Sequence, residues 1–218
     1  MSEVAENIPK TQAVQVDRLA PEFEARTTRG LVRLSDYRGR WLVFFSHPAD
    51  FTPVCTSEFI ALQKATHRFE ALNCDLLGLS VDSLYAHLAW LKDIEARVGV
   101  RVEFPIIEDI SMDVSRAYGM IHEDSASTAT VRSVFFIDPN GYVRAIIHYP
   151  MNVGRSVEEI LRVLAALQAS EAGEIATPEG WTPGADAVLP PPLDLVEADQ
   201  RSSMNGGAWY YTHAENGK

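Results

Sequence analysis

The run Trp41, Leu42, Val43, Phe44, Phe45 is the most demanding stretch of the sequence, because consecutive apolar side chains of this kind suit a strand covered on both faces. Turn-forming residues follow at once. His47, Pro48 and Asp50 end the strand, and Thr52-Pro53 opens a helix with threonine as N-cap and proline at the first helical position. On that register Cys55 falls at the third helical position, where backbone N–H groups lack intrahelical acceptors and the helix dipole favours negative charge. The predicted unit is a buried strand, a tight connection and a helix whose first turn presents a thiol. The remainder of the chain must supply the layers that cover it.

A cysteine in such a place has two readings. It can be a small inert hydrophobe packed at a helix start, or a nucleophile, since the thiolate is the reactive form and helix N-termini and nearby cations stabilise it. Moving a cysteine's ionisation from near 8.5 down toward about 6 takes roughly 3.4 kcal/mol. A helix terminus contributes typically about 0.3–1 kcal/mol and at most ~2. The reactive reading therefore requires an arginine or another strong donor close to the sulfur.

Residues 1 to about 20 are polar and read as a lead-in strand or arm, and residues 21–34 suggest an edge hairpin, ended by Asp36 to Gly39. Beyond Cys55, the residues Phe59, Leu62, Phe69 and Leu72 recur on one face and predict a helix to about Ala71. Cys74 opens an apolar strand over 75–81; Asp82 and Ser83 then cap a helix with Leu84, Leu88 and Leu91 on one side, closed near Gly99. A short strand at 104–107, a short helix at 111–118 and a polar loop at 122–130 follow. Strands at 134–137 and 142–148 are joined by an Asp138-Pro139-Asn140-Gly141 turn. Ser156 and Glu159 form a capping box for the last clear helix, with Ile160, Leu164 and Leu167 inward. This order predicts an α/β fold: a mixed central sheet with helices on both faces. From about Ala172 proline and glycine prevail, yet Trp181, Leu193, Leu195, Trp209 and Tyr210 are too apolar for a solvated tail. The expected division is a domain at 1–170 and a C-terminal extension at 171–218 that docks on a second subunit.

Composition narrows the function. A net charge of −11 over 218 residues, without clustered Lys and Arg, argues against nucleic acid or an anionic membrane as partner. The start, MSEVAENIPK, lacks the basic and apolar regions of a signal peptide, so a cytoplasmic protein is expected. The two cysteines have no C-x-x-C spacing, and the six histidines show no metal-ligand spacing. G-x-S-x-G, G-x-G-x-x-G, P-loop and H-E-x-x-H patterns are absent, and neither metal nor cofactor is expected.

Pro48, Thr52 and Cys55 match the P-x-x-x-T-x-x-C signature of peroxiredoxins, and residues 46–58, SHPADFTPVCTSE, resemble the one-cysteine, peroxiredoxin-six-like subfamily. The likeness covers roughly Leu19 to Leu193 and includes the W-T-P-G stretch from Trp181. It implies a thioredoxin-like fold and a thiol peroxidase acting on hydrogen peroxide and organic hydroperoxides in antioxidant defence. Cys55 would attack one peroxide oxygen, become a sulfenic acid, and be recycled by an external thiol or other electron donor. The resemblance assigns Thr52 as the hydroxyl hydrogen-bond partner, Pro48 as the shield of the pocket, and Arg132 as the cation beside the sulfur. Glu58 and Arg155 match positions that orient that arginine. His47 either lines the pocket or is a histidine hydrogen-bonded to backbone at a strand end. The resemblance also implies a homodimer, with the extension at its interface, which can assemble into a ring. Cys74 is expected to pack in its strand rather than to resolve the oxidised sulfur. Two other readings stand beside this one: a redox-sensitive chaperone or signalling scaffold, and a disulfide oxidoreductase, against which the missing C-x-x-C argues.

Overall fold

In the computed structural model, which describes residues 14–121, 126–204 and 208–214, the apolar run is strand β3 (Trp41–Ser46), buried at every position. It lies between β4 (Cys74–Ser80), parallel to it, and β6 (Arg132–Ile137), antiparallel. With β1 (Glu24–Thr27), β2 (Gly30–Arg33), β5 (Ile106–Glu108) and β7 (Val143–Tyr149) these make one seven-stranded sheet of order β2-β1-β5-β4-β3-β6-β7. β3, β4 and β5 are mutually parallel, and the outer pairings are antiparallel. The sheet is mixed, as the order of elements implied.

Parallel neighbours need crossovers, and helices supply them. α1 (Pro53–Lys64) and α2 (Thr66–Ala71) connect β3 to β4, and α3 (Leu84–Val98) connects β4 to β5. α4 (Asp113–Ala117) follows β5. Alternation along β3 sends Phe44 and Phe45 to opposite faces. The Phe44 ring meets Tyr118, at the end of α4, at 4.9 Å, whereas Phe45 meets Phe59 of α1 at 5.7 Å. Both faces are thereby covered by helical elements. Gly78 sits between these layers, where a Cβ would come into van der Waals contact with the Phe45 ring at 3.4 Å and the Phe59 ring at 3.5 Å.

Two expectations are corrected. The helix expected to run to Ala71 breaks at Ala65, which leaves helical geometry at φ −97°, ψ 0°. The inner face of α3 is His87, Trp90 and Ile94 rather than Leu84, Leu88 and Leu91; Leu88 is 38% exposed. Trp90 buries more apolar surface than any leucine could, and His87 finds a carboxylate inside, so these two set the rotation of the helix. Ser83 caps α3 as expected, accepting from the Ala86 N–H at 3.2 Å. Of the lead-in arm, residues 14–20 are described, and Leu19 bridges Tyr142; positions 1–13, 122–125, 205–207 and 215–218 of the expected arm, loop and tail lie outside the described residues.

The chain divides into two compact units, Met1–Val157 and Glu158–Lys218. The second carries α5 (Val157–Ser170), which begins at the boundary, a two-residue pair β8 (Ala187–Val188) and β9 (His213–Ala214), and α6 (Leu195–Met204). α6 is a helix that the proline-rich composition did not announce. Trp181 is buried in this unit, where its Nε1 donates to the Ala185 carbonyl at 3.1 Å. Leu193, Leu195, Val196, Tyr210 and Tyr211 are exposed. No helix among the described residues is long and apolar enough to cross a membrane.

Candidate active site

The connection from β3 to α1 is tight and partly strained. His47 donates its N–H to the Leu79 carbonyl at 2.9 Å, Pro48 is buried, and Phe51 turns the chain in the left-handed region at φ +56°, an uncommon conformation for a bulky residue. Thr52 is the extended N-cap (φ −105°, ψ 149°) and Pro53 the first helical residue, which puts Cys55 in the first turn. The Thr52 hydroxyl does not cap the helix; it donates to the Ala49 carbonyl at 2.9 Å and keeps its lone pairs for another donor.

Cys55 is fully buried, and Nη1 of Arg132 lies 3.3 Å from its Sγ. Arg132 starts β6, which runs antiparallel beside β3, and so comes under the first turn of α1. Its Nε donates to the Met151 carbonyl at 2.8 Å, and Nη1 also donates to Oε2 of Glu58 at 2.7 Å. Glu58 stands three residues after Cys55, on the same face of α1. Its other partner is Arg155, whose backbone N–H and Nε reach Oε1 at 2.7 and 2.9 Å and whose Nη2 reaches Oε2 at 2.7 Å. Arg155 Nη1 donates to the carbonyls of Ser46 and Ser133 at 2.8 and 2.9 Å, and its guanidinium lies over the Phe45 ring at 5.3 Å. Cys55, Arg132, Glu58 and Arg155 are thus one buried cluster held to the ends of β3 and β6.

Its electrostatics turn on one carboxylate between two guanidiniums. Burial would raise the Glu58 carboxyl, but hydrogen bonds and charge from Arg155, with Arg132 adding to them, hold it below the ordinary glutamate value. One ionised carboxylate between two guanidiniums leaves a surplus positive charge. Buried charge is costly unless balanced, and the group that Arg132 meets besides Glu58 and the Met151 carbonyl is the Cys55 sulfur.

The His47 side chain meets a carboxylate rather than backbone. It is fully buried, its Nε2 meets the Asp50 carboxylate at 2.8 Å, and its ring stacks on Trp90 at 5.3 Å. Asp50 also meets Nδ1 of His87 at 2.7 Å. Ligand-type atoms of His47, Asp50 and His87 lie within 4.8 Å of one another, the one grouping among the described residues that could hold a metal ion. Sequence spacing gave no sign of it, because His87 arrives from α3. A signal was present nonetheless: Asp50 follows His47 by three positions, and His87 shares a helix face with Trp90 and Ile94. Cys74 opens β4 opposite Trp41, and burial pushes its thiol up to about 12. An open groove of about 360 Å³ beside the start of α1 is lined by Phe51, Thr52, Pro53 and Trp90 among others, and Cys55 does not line it.

Comparison with known proteins gives concordant matches. Residues 16–146 match the AhpC/TSA family, and residues 166–202 match the C-terminal domain of 1-Cys peroxiredoxin. The chain is 49% identical to peroxiredoxin 2 of Picrophilus torridus, over 90% of this chain and 97% of that protein. It is 44% identical to a peroxiredoxin of Methanosarcina mazei, over 84% of this chain and 86% of the other. Among solved structures, a yeast mitochondrial 1-Cys peroxiredoxin superposes with a TM-score of 0.79 at 38% identity, covering 92% of this chain and 100% of its own. A cysteine-to-serine mutant of peroxiredoxin 6 from Arenicola marina gives 0.81 at 30% identity, covering 94% and 100%. The mixed sheet and its crossovers are therefore the thioredoxin-like fold of these enzymes.

Proposed function

Because the chain belongs to the AhpC/TSA family of peroxiredoxins and is a thiol peroxidase, we propose that it reduces hydrogen peroxide and small organic hydroperoxides through a sulfenic acid on Cys55. The observation that carries this reading is the 3.3 Å approach of Arg132 Nη1 to the Cys55 sulfur inside a buried cluster that otherwise holds surplus positive charge. The thiolate attacks one oxygen of ROOH; the S–O bond forms as the O–O bond breaks, sulfur gives up two electrons, and RO⁻ leaves to take a proton from solvent. Arg132 and the open N–H groups of the helix start stabilise the charge as it moves from sulfur to the departing oxygen. Thr52, whose proton is engaged with Ala49, accepts from the peroxide hydroxyl, and Pro48 keeps bulk water from the sulfur. Glu58 and Arg155 fix the angle of Arg132.

The sulfenic acid is returned by an external thiol: one thiol condenses with it, releasing water and forming a mixed disulfide, and a second displaces Cys55 as thiol. Cys74 does not fit the resolving role, being a buried, poorly ionised thiol. The yeast relative, whose thiol is resolved via glutathione and thioredoxin systems, supports a donor of that class. Residues 171–218, with Leu193, Leu195 and Tyr210 exposed, are proposed to form the dimer contact of a homodimer. The test is mass spectrometry of peroxide-treated protein with a sulfenic-acid trap. The adduct is expected on Cys55, whereas a disulfide between Cys55 and Cys74 would contradict the route.

A further inference from the structure

Asp50 stands at the joint between β3 and α1, and its buried carboxylate is shared by histidines from two different elements. Oδ1 lies 2.8 Å from Nε2 of His47, Oδ2 lies 2.7 Å from Nδ1 of His87, and Nε2 of His87 lies 3.2 Å from the Ile107 carbonyl on β5. Each of these three contacts needs one proton between its two atoms. The Ile107 carbonyl has none to give. An aspartate carboxylate and two neutral imidazoles together hold only two protons, so the contacts place a third inside the cluster and make it electrically neutral. Neutrality is what burial this complete demands, since an uncompensated charge among Phe59, Trp90 and the strands would be costly.

The distribution of those protons follows. Burial pushes His47 down, against the pull of Asp50, and although burial would raise Asp50, hydrogen bonds from both histidines hold it below the ordinary aspartate value. His47 is therefore neutral, donating from Nε2, and its Nδ1 is a bare acceptor with no hydrogen-bond partner among the described residues. The other charged group against the cluster is Asp82, which accepts from the Asp50 N–H at 3.0 Å and from the Ser80 hydroxyl at 2.7 Å.

We infer that Asp50 and His87 are positioning residues of the peroxide site: their shared-proton cluster ties the 47–52 connection to α3 and β5, holds the left-handed turn at Phe51, and presents Nδ1 of His47 as an unprotonated acceptor. The inference rests on Cys55 being the reacting sulfur. Without Asp50 or His87 the connection that sets the start of α1 loses its tie to α3 and β5. The rate of Cys55 oxidation then falls.

The experiment has two arms on the full-length reduced protein. Nitrogen-15 NMR of the imidazoles at neutral pH is expected to show His47 protonated at Nε2 and bare at Nδ1, and His87 protonated at both nitrogens. The opposite His47 tautomer, or a His87 with one bare nitrogen, overturns the inference without any variant. Stopped-flow oxidation of Cys55 by hydrogen peroxide is then followed in the wild type, Asp50→Asn and His87→Asn. The variants are expected to react about ten- to a hundredfold more slowly, as for a misplaced reacting group. Variants with the wild-type rate overturn the inference. A wild type that reacts no faster than a free thiol instead overturns the assignment of Cys55, and is thereby a separate outcome.

Discussion

Arg132 does two things with one nitrogen, since Nη1 faces both the Cys55 sulfur and Glu58 while Nε is anchored on the Met151 carbonyl. Replacing it by methionine removes the donor and the charge together. Peroxide oxidation of Cys55 should slow by about 10²–10³, the usual loss for one donor to a developing anion, and lysine should recover little, because it lacks the planar fork. Glu58→Gln strips the counter-ion from two buried guanidiniums and should lower unfolding stability in urea by roughly 3–5 kcal/mol. The same residue shapes the acid limb. Its folded value lies below the unfolded one, so its contribution is complete above the ordinary glutamate range near about 4.3 and is lost as pH falls through the lowered folded value. Urea midpoints measured down that range should fall less steeply in Glu58→Gln. Cys74→Ala should leave the peroxide rate unchanged, and in the native protein Cys74 should resist alkylation that its exposure by denaturant permits.

At the scale of elements, the strand–turn–helix unit was legible because strong local signals agree there: an apolar run, a turn, and a Thr-Pro helix start all point one way. Ser83 was legible for the same reason. The face of α3 was not. Leu84, Leu88 and Leu91 offer a helical repeat, but the burial of Trp90 and the partner of His87 are settled by α1 and the 47–52 connection, which are remote in sequence. The Asp50 cluster was hidden for that reason too, whereas Arg132, Glu58 and Arg155 could be marked beforehand only through the family motif, not through local pattern. The corrected face makes a measurable claim. Trp90→Ala should cost about 3–5 kcal/mol, and Leu88→Ala should stay within about 0.5 kcal/mol; equal losses in chemical denaturation would restore the leucine face.

For the molecule as a whole, a chain of net charge −11 carries exposed apolar side chains at Leu193, Leu195 and Val196 in its second unit. Self-association through that surface should appear as a dimer in sedimentation of the full-length protein. Leu193→Glu with Leu195→Glu should shift it toward monomer, and an unshifted dimer would place the interface elsewhere. The central claim, though, is that one buried sulfur, balanced by Arg132, is the reacting atom. It is tested most directly by mixing reduced protein with hydrogen peroxide under stopped flow and following tryptophan fluorescence in the wild type and in Cys55→Ser. A fast phase, first order in protein and first order in peroxide, is expected in the wild type and disappears in Cys55→Ser; a fast phase that survives the substitution would contradict the assignment.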